Sequence, residues 1–227
     1  MSRNAAVGAA LAETSRELDL ARVPVAGYLP ETPAEEFRTL RTRLEQLPAA
    51  RVLQTVLVAS ASAGEGKSFT AANLALAEPQ LADNPTLLCD FDLRNPVLHS
   101  HFRVDRSPGV SDYLLGKADL HEALRRIGDS NLFVMPAGEA VINPLELLHL
   151  KGVRRLMDIL RNAFRWILLD SPALFVASDA NLLAALADGT LLVTRIGATT
   201  PDSMTRAIAA LGQDTILGIV ANGAGNR

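Results

Sequence analysis

The segment ASASAGEGKSFT, residues 59–70, has residue types and a spacing that could bind a chain of phosphates. It follows the pattern G-x-x-x-x-G-K-S/T of a phosphate-binding loop, except that Ala61 stands where the first glycine is expected. Gly64 and Gly66 allow backbone N–H groups to turn toward an anion. Alanine at position 61 costs little if its φ angle is negative, because only glycines held at positive φ are hard to replace. We therefore expect a working loop.

The second half of the segment adds a cation and a metal ligand. Lys67 would reach the terminal phosphates, Ser68 would ligate Mg²⁺, and the start of a helix would add positive dipole. The alternative is a glycine-rich turn with an incidental Gly-Lys-Ser sequence. We expect nucleotide contacts from the loop and the first helical residues, namely Ser62, Ala63, Gly64, Glu65, Gly66, Lys67, Ser68 and Phe69.

Carboxylates follow two other apolar runs. Asp90 and Asp92 end the run TLLCDFD, and because they are two apart on an extended chain, their side chains point to the same side. Two carboxylates aimed at one spot repel each other unless a cation lies between them, and nucleotide-bound Mg²⁺ would supply it. Arg94 follows one step further on, and Asp170 ends the run WILLD, where a carboxylate can hold the metal through water. A solvated acidic turn and a simple turn at Ser171–Pro172 are the alternatives.

Short apolar runs alternate with helical stretches along the chain, which is typical of an α/β domain with a mostly parallel sheet covered by helices on both faces. In such a fold, ligands collect at the carboxyl ends of the strands, where the residues above stand. The predicted strands are 55–60, 86–91, 132–136, 166–170, 190–195 and 216–222. The predicted helices are 35–47, 67–78, 117–127, 178–187 and 201–211, with more than one helix near 144–162.

The length of 227 residues fits one large domain. Residues 1–33 show no sustained period, so we expect an N-terminal arm with a short helix at about 9–19, mobile or ordered on a partner. Residues 34–227 are expected to form a single nucleotide-binding domain.

The composition argues against several classes of function. A net charge of −3 with scattered basic residues gives no footprint for nucleic acid. The single cysteine, Cys89, cannot form an internal disulfide and no leader opens the chain, so we expect a cytoplasmic protein. No apolar run reaches the ~18 residues of a membrane span, and any membrane association is expected to come through a partner.

With these residues, the chain resembles the bacterial tyrosine kinases of capsule and exopolysaccharide synthesis, from about Glu35 to the C-terminus. That family often lacks the first loop glycine, as at Ala61, and has an apolar strand followed by D-x-D-x-R, matched here by DFDLR at 90–94. INPLELL (142–148) resembles its N-P-x-E-L-L segment, and GVSDYLLGKADL (109–120) resembles its G-L-S-x-Y-L-x-G segment.

The resemblance implies a P-loop NTPase fold that binds ATP with Mg²⁺ and transfers the γ-phosphoryl group to tyrosine hydroxyls. It implies that Lys67 neutralises phosphate charge and that Asp90 accepts the hydroxyl proton. Ser68, Asp92 and Asp170 would hold Mg²⁺, directly or through water.

The resemblance also implies contacts beyond the phosphates. Arg195 and Asn222 would face the adenine, and Arg94 would contact the nucleotide. Glu35, Arg38 and Arg41 match the family's E-x-x-R-x-x-R oligomerisation helix, although these three could simply pair within their own helix. A membrane polysaccharide co-polymerase or adaptor is the expected partner.

Two alternatives to a kinase stay open. Septum-site and plasmid-partition ATPases share the loop but carry an extra lysine where this chain has Ser62, which favours the kinases. The kinases usually end in a tyrosine-rich tail, whereas this chain has Tyr28 in the arm and Tyr113 in a segment that resembles a folded one. We therefore expect weak self-phosphorylation confined to Tyr28. The other alternative is a non-catalytic or weakly ATP-hydrolysing module that regulates a polysaccharide-export partner.

Overall fold

An eight-stranded sheet forms the centre of the structure, a computed structural model that describes residues 18–26, 35–47, 53–77, 84–148, 151–176 and 179–223. The strands are β1 (Val25–Ala26), β2 (Thr55–Ser60), β3 (Thr86–Asp90), β4 (Arg125–Ile127), β5 (Leu132–Met135), β6 (Trp166–Asp170), β7 (Gly189–Arg195) and β8 (Ile216–Asn222). Their order is β1-β4-β5-β3-β6-β2-β7-β8, and every neighbouring pair is parallel except β4 with β5. The predicted α/β fold with a mostly parallel sheet is confirmed.

Helices cover both faces of the sheet. They are α1 (Glu35–Glu45), α2 (Lys67–Ala77), α3 (Leu98–Phe102), α4 (Val110–Leu114), α5 (Leu120–Ala123), α6 (Pro144–Leu148), α7 (Lys151–Ala163), α8 (Asp179–Ala184) and α9 (Pro201–Leu211). Val56 and Val58 of β2 pack toward α1, α2 and α3, whereas Leu57 and Ala59 pack on the opposite face toward α4 to α7. All four are fully buried, which explains why this strand is apolar throughout. In the described part of the chain, no helix is long and apolar enough to cross a membrane.

The prediction of one helix over 117–127 is wrong. Helix α5 spans only Leu120–Ala123, where the Asp119 side chain caps the helix start and the Glu122 carboxylate accepts a hydrogen bond from the backbone N–H of Asp119. The chain then becomes extended and Arg125–Ile127 forms β4, antiparallel to β5. Pairing with a neighbouring strand and burial of Ile127 outweigh the helical propensity of the segment.

Part of the expected N-terminal arm belongs to the sheet. Val25 and Ala26 form β1, parallel to β4, and Val23 just before it is 4% exposed. A short 3₁₀ helix, Leu20–Arg22, leads into this strand and is capped by Asp19. The helix expected at 9–19 lies largely outside the described residues, as does Tyr28.

Candidate active site

The phosphate loop connects β2 to α2, in the strand, loop and helix order that the sequence predicts. Gly64 and Gly66 have φ angles of 79° and 97°, a region that glycine adopts without steric cost. Ala61 is 2% exposed and has no positive φ, so its methyl group is accommodated and the missing glycine does not disturb the loop. Lys67 and Ser68 begin α2, where the first N–H groups of a helix lack intrahelical partners.

Three carboxylates meet at the carboxyl edge of the sheet beside this loop. Strands β3 and β6 are neighbours, with Asp90 opposite Asp170, and β6 pairs in turn with β2. Asp92 follows β3, and its Oδ2 accepts a hydrogen bond from Lys67 Nζ at 3.1 Å. The side chains of this ion pair are largely shielded, with 13% of Lys67 and 6% of Asp92 exposed. The structure thus places the three predicted strand ends in one cluster.

Asp170 has the chemistry of a cation ligand. It is fully buried, and neither carboxylate oxygen has a hydrogen-bond partner among the described residues. Burial raises the pKa of Asp170 to about 6, although Lys67 and the hydroxyl of Ser68 act to lower it. A buried carboxylate without a partner is costly, so a cation or its bound water at this position would be stabilising. Hydroxyl and carboxylate oxygens fit Mg²⁺, which takes its other ligands from phosphates and water.

Asp90 is equally buried but accepts three hydrogen bonds from backbone N–H groups. Its Oδ1 accepts from the N–H of Asp92 at 3.2 Å, and its Oδ2 accepts from the N–H groups of Val97 and Leu98 at 3.2 and 3.1 Å. Burial and the nearby Asp170 raise its pKa to about 8. A raised pKa suits a proton acceptor. That role stays a prediction, because a tyrosine hydroxyl reaches this carboxylate only if the turn over it opens.

Arg94 is held by a residue that sequence reasoning missed. Its Nε donates to Asp179 Oδ2 at 3.0 Å, and the Asp179 side chain is 2% exposed. Asp179 begins α8, and no spacing pattern in the sequence links it to Arg94. Contact between Arg94 and a nucleotide stays a prediction.

Arg195 and Asn222 end the last two strands and lie against the phosphate loop. Arg195 Nη1 donates to the carbonyl of Gly64 at 3.2 Å, and Asn222 Nδ2 donates to the carbonyl of Glu65 at 3.0 Å. Thr199, which sequence reasoning also missed, donates its hydroxyl to Glu65 Oε1. Its position just after a strand, at the edge where ligands collect, was the available signal. The predicted adenine contacts are not tested by this arrangement.

The remaining predicted loop residues occupy different surroundings. Ser62 and Ala63 are exposed, and the N–H of Ser62 donates to Glu65 Oε2 at 3.0 Å. Phe69 is 49% exposed and packs edge-on against Phe37 of α1, with ring centroids 5.8 Å apart. Both rings line a cavity of about 680 Å³ between α1, α2 and β8. The ring of Phe69 therefore contacts α1.

Known proteins with similar sequences are kinases. No protein-family profile matches the chain. It is 34% identical over 192 residues to the tyrosine-protein kinase YwqD of Bacillus subtilis, which covers 84% of this chain and 81% of that protein. It is 31% identical over 191 residues to the tyrosine-protein kinase CpsD of Streptococcus agalactiae, covering 83% of this chain and 82% of that one. The chain belongs to the bacterial tyrosine kinase family.

Solved structures agree with this assignment. The kinase domain of the Escherichia coli tyrosine kinase ETK matches with a TM-score of 0.79 at 29% identity, covering 84% of this chain and 75% of that one. The cell division ATPase MinD of Pyrococcus furiosus matches with a TM-score of 0.59 at 23% identity, covering 76% and 74%, and shares the fold. The resemblance to bacterial tyrosine kinases drawn from the motifs is confirmed.

The helix that matches the E-x-x-R-x-x-R motif of bacterial tyrosine kinases is α1. Arg38 Nη1 pairs with Glu35 Oε2 at 2.8 Å on the exposed face of the helix. Arg41 turns inward, and its Nη1 donates to the carbonyl of Ala77 at the end of α2 at 2.9 Å. Arg41 therefore joins two helices of one chain, and a role for the motif in self-association stays a proposal.

Among the described residues of this bacterial tyrosine kinase, the sole tyrosine is Tyr113. It is 3% exposed within the core on the α4 side of the sheet, and its hydroxyl is buried without a hydrogen-bond partner among the described residues. Burial raises the pKa of Tyr113. The expectation that this tyrosine is anchored in the fold is confirmed.

Proposed function

We propose that this protein is an ATP-dependent protein-tyrosine kinase that regulates the synthesis or export of an exopolysaccharide or capsule. The observation that carries the proposal is Asp170, a buried carboxylate without hydrogen bonds beside Lys67 and Ser68 of a phosphate loop. Such a site suits a cation that accompanies a nucleoside triphosphate. Membership of the bacterial tyrosine kinase family supports a tyrosine hydroxyl as the acceptor.

The residues present fit Mg²⁺ as the metal. Ser68, Asp92 and Asp170 offer a hydroxyl and two carboxylates, directly or through water. When bound, Mg²⁺ would neutralise charge on the β- and γ-phosphates. Lys67 would then exchange its bond to Asp92 for bonds to phosphate oxygens, since a triphosphate carries more negative charge than one carboxylate.

The chain contributes position and charge to the transfer. The tyrosine oxygen attacks the γ-phosphorus, and the bond from that phosphorus to the bridging oxygen of ADP breaks. Once the turn over Asp90 opens, the hydroxyl proton would pass to this carboxylate, whose raised pKa makes it a stronger base than an ordinary aspartate. Lys67 and the loop N–H groups stabilise the charge that spreads over the phosphoryl oxygens.

The test is phosphotyrosine formation on a tyrosine-rich peptide, read by mass spectrometry after incubation with MgATP. Lys67→Ala should lose most of the ATP affinity, because this lysine would exchange its bond to Asp92 for bonds to phosphate oxygens. Lys117→Ala is the matched control, since Lys117 is 52% exposed and pairs with the surface residue Glu139. Tight ATP binding without transfer to any tyrosine substrate would favour the non-catalytic regulatory module instead.

We also propose that α1 mediates self-association and that a membrane polysaccharide co-polymerase or adaptor is the physiological partner of this cytoplasmic domain. Glu35 and Arg38 are the exposed members of the motif, and Arg41 holds the helix in place. Arg38→Glu should lower the mass measured by light scattering, because a like charge would then face the partner subunit's site. Arg154→Glu, an exposed reversal on α7 across the sheet, should leave the mass unchanged. Equal masses for Arg38→Glu and the parent would limit Glu35 and Arg38 to pairing within α1.

A further inference from the structure

The side chains of Arg195 and Asn222 donate hydrogen bonds to the backbone of the phosphate loop. Arg195 Nη1 donates to the Gly64 carbonyl and Asn222 Nδ2 to the Glu65 carbonyl. Asn222 Oδ1 accepts from the N–H of Gly223 at 2.9 Å, so both polar atoms of this amide are engaged. These contacts indicate that the two residues act on the part of the loop that would bind the phosphates of the nucleotide.

The two contacts fix the orientation of two consecutive peptide units. In a planar trans peptide, the C=O and the N–H point in opposite directions. With the carbonyls of Gly64 and Glu65 held by Arg195 and Asn222, the N–H groups of Glu65 and Gly66 point away from those side chains. Within the residues that the structure covers, neither N–H donates a hydrogen bond. Successive free N–H groups of this kind form an anion-binding concavity.

The side chain of Glu65 ties the same loop to the segment between β7 and α9. Glu65 is 4% exposed; its Oε2 accepts from the N–H of Ser62, and its Oε1 accepts from the hydroxyl of Thr199. Thr199 Oγ1 in turn accepts from the N–H of Arg195 at 2.8 Å. Thr199 therefore connects the backbone of Arg195 to the loop that the Arg195 side chain also holds.

Asn222 also packs closely against Gly66. A Cβ placed on Gly66 would lie 1.9 Å from Asn222 Nδ2, nearer than two atoms can approach without moving. Gly66 is therefore required for the space that Asn222 fills, in addition to its positive φ. The contact makes Asn222 part of the wall of the loop.

We propose that Arg195, Asn222 and Thr199 are positioning residues for the phosphate chain of the nucleotide. They hold two loop peptides so that the N–H groups of Glu65 and Gly66 face the phosphates. The inference rests on the proposed function, because it takes a nucleoside triphosphate as the ligand. A residue that reads adenine affects only ligands with a base, whereas a residue that orients the loop affects every triphosphate.

The test is calorimetric titration of the whole chain with MgATP and with inorganic tripolyphosphate and Mg²⁺. Asn222→Leu removes the Nδ2 donor, keeps the approximate size and adds no charge beside the phosphates, and Thr199→Val removes the hydroxyl and keeps the shape. Each variant should weaken both ligands by a common factor of about tenfold, the usual effect of one lost hydrogen bond near a charged ligand. Thr199→Ser keeps the hydroxyl and should bind both ligands as the parent does.

The controls repeat the same substitutions away from the loop. Thr205→Val and Asn181→Leu lie at exposed helical positions and should leave both affinities unchanged. Weaker ATP binding with unchanged tripolyphosphate binding would mean a base contact and overturn the inference. So would variants that bind both ligands like the parent, or a parent that binds ATP but no tripolyphosphate. A parent that binds no ATP overturns the proposed function itself.

Discussion

Asp90 and Asp170 stand side by side at the ends of neighbouring strands, and both are fully buried. Their surroundings differ in the supply of hydrogen-bond donors. Three backbone N–H groups surround the carboxylate of Asp90, whereas neither oxygen of Asp170 has a partner among the described residues. The two carboxylates are therefore equally buried but differ in role. Asp90 binds the backbone of its own chain, whereas the oxygens of Asp170 can bind a ligand.

The direction of a pKa shift alone therefore does not identify a ligand site. Burial raises the pKa of both carboxyls, and the charge of Asp170 adds to the effect on Asp90. What distinguishes them is the count of hydrogen-bond partners, since a buried carboxylate that already has hydrogen bonds gains less from a cation than one that has none. Four predictions test this distinction.

The largest expected effect is the loss of catalysis in Asp170→Asn. Removing the charge that holds the metal should slow phosphoryl transfer by about 10³-fold, the upper range for loss of one electrostatic contact in a site. The measurement is the initial rate of peptide phosphorylation across a Mg²⁺ titration. Asp158→Asn, on the exposed face of α7, is the matched control. A parent-like rate in Asp170→Asn would remove this carboxylate from the site.

Asp90→Asn should slow transfer by about 10²-fold while ATP still binds, which is the usual scale for a positioned base. The two effects are separated by measuring kcat for the peptide and the dissociation constant for ATP in the same preparation. Turnover equal to that of the parent would exclude Asp90 as the proton acceptor and leave it as a cap of the turn after β3.

The same two variants should shift the free energy of unfolding in opposite directions. Asp170→Asn removes a buried charge that has no hydrogen bond among the described residues. It should stabilise the ligand-free protein by about 1 kcal/mol or more, because burial of the charge outweighs its attraction to Lys67. Asp90→Asn turns an amide NH₂ toward backbone N–H donors and should destabilise it by about 1–3 kcal/mol. Urea denaturation without nucleotide and with a chelator gives both values. Shifts of the same sign would contradict the contrast between the two carboxylates.

The last prediction is a pH dependence of stability. Both folded pKa values lie above the unfolded value of 3.8, so the stability these groups contribute is fully present below about pH 4. It is lost as pH rises through about 6 for Asp170 and about 8 for Asp90. The free energy of unfolding of the chelated parent should therefore fall by up to about 1.4 kcal/mol per pH unit for each ionising group. Asp170→Asn should lack the portion near pH 6, and an unchanged slope in that variant would count against the raised pKa.

The strands and the loop could be predicted from sequence because each depends on local pattern. The run at β2 is apolar on both faces, and the loop that follows carries its chemistry within a few residues. The segment 125–127 could not be predicted, because its strand depends on pairing with β5 and on the buried side chain of Ile127. Local propensity is overridden wherever a neighbouring strand supplies the hydrogen bonds.

The candidate site was predicted to a similar extent, and for a similar reason. Lys67, Asp92 and Asp170 belong to motifs, so their types and spacing marked them. Thr199 and Asp179 lie far along the chain from the loop residues that they contact, and they carry no spacing signal. Their roles arise only when parallel strands bring their carboxyl ends together.

Because Tyr113 is buried in the core, phosphorylation at this residue would report the fraction of unfolded molecules in a preparation of this kinase. A hydroxyl enclosed in the core cannot enter a neighbour's active site while the domain is folded. Phosphate at Tyr113 would therefore count molecules whose core had opened, a fraction that falls exponentially as the free energy of that opening rises. Labelling at this residue should rise with mild denaturant, whereas labelling of an added peptide should fall. The ratio of the two signals separates catalysis by the native enzyme from modification of unfolded chains.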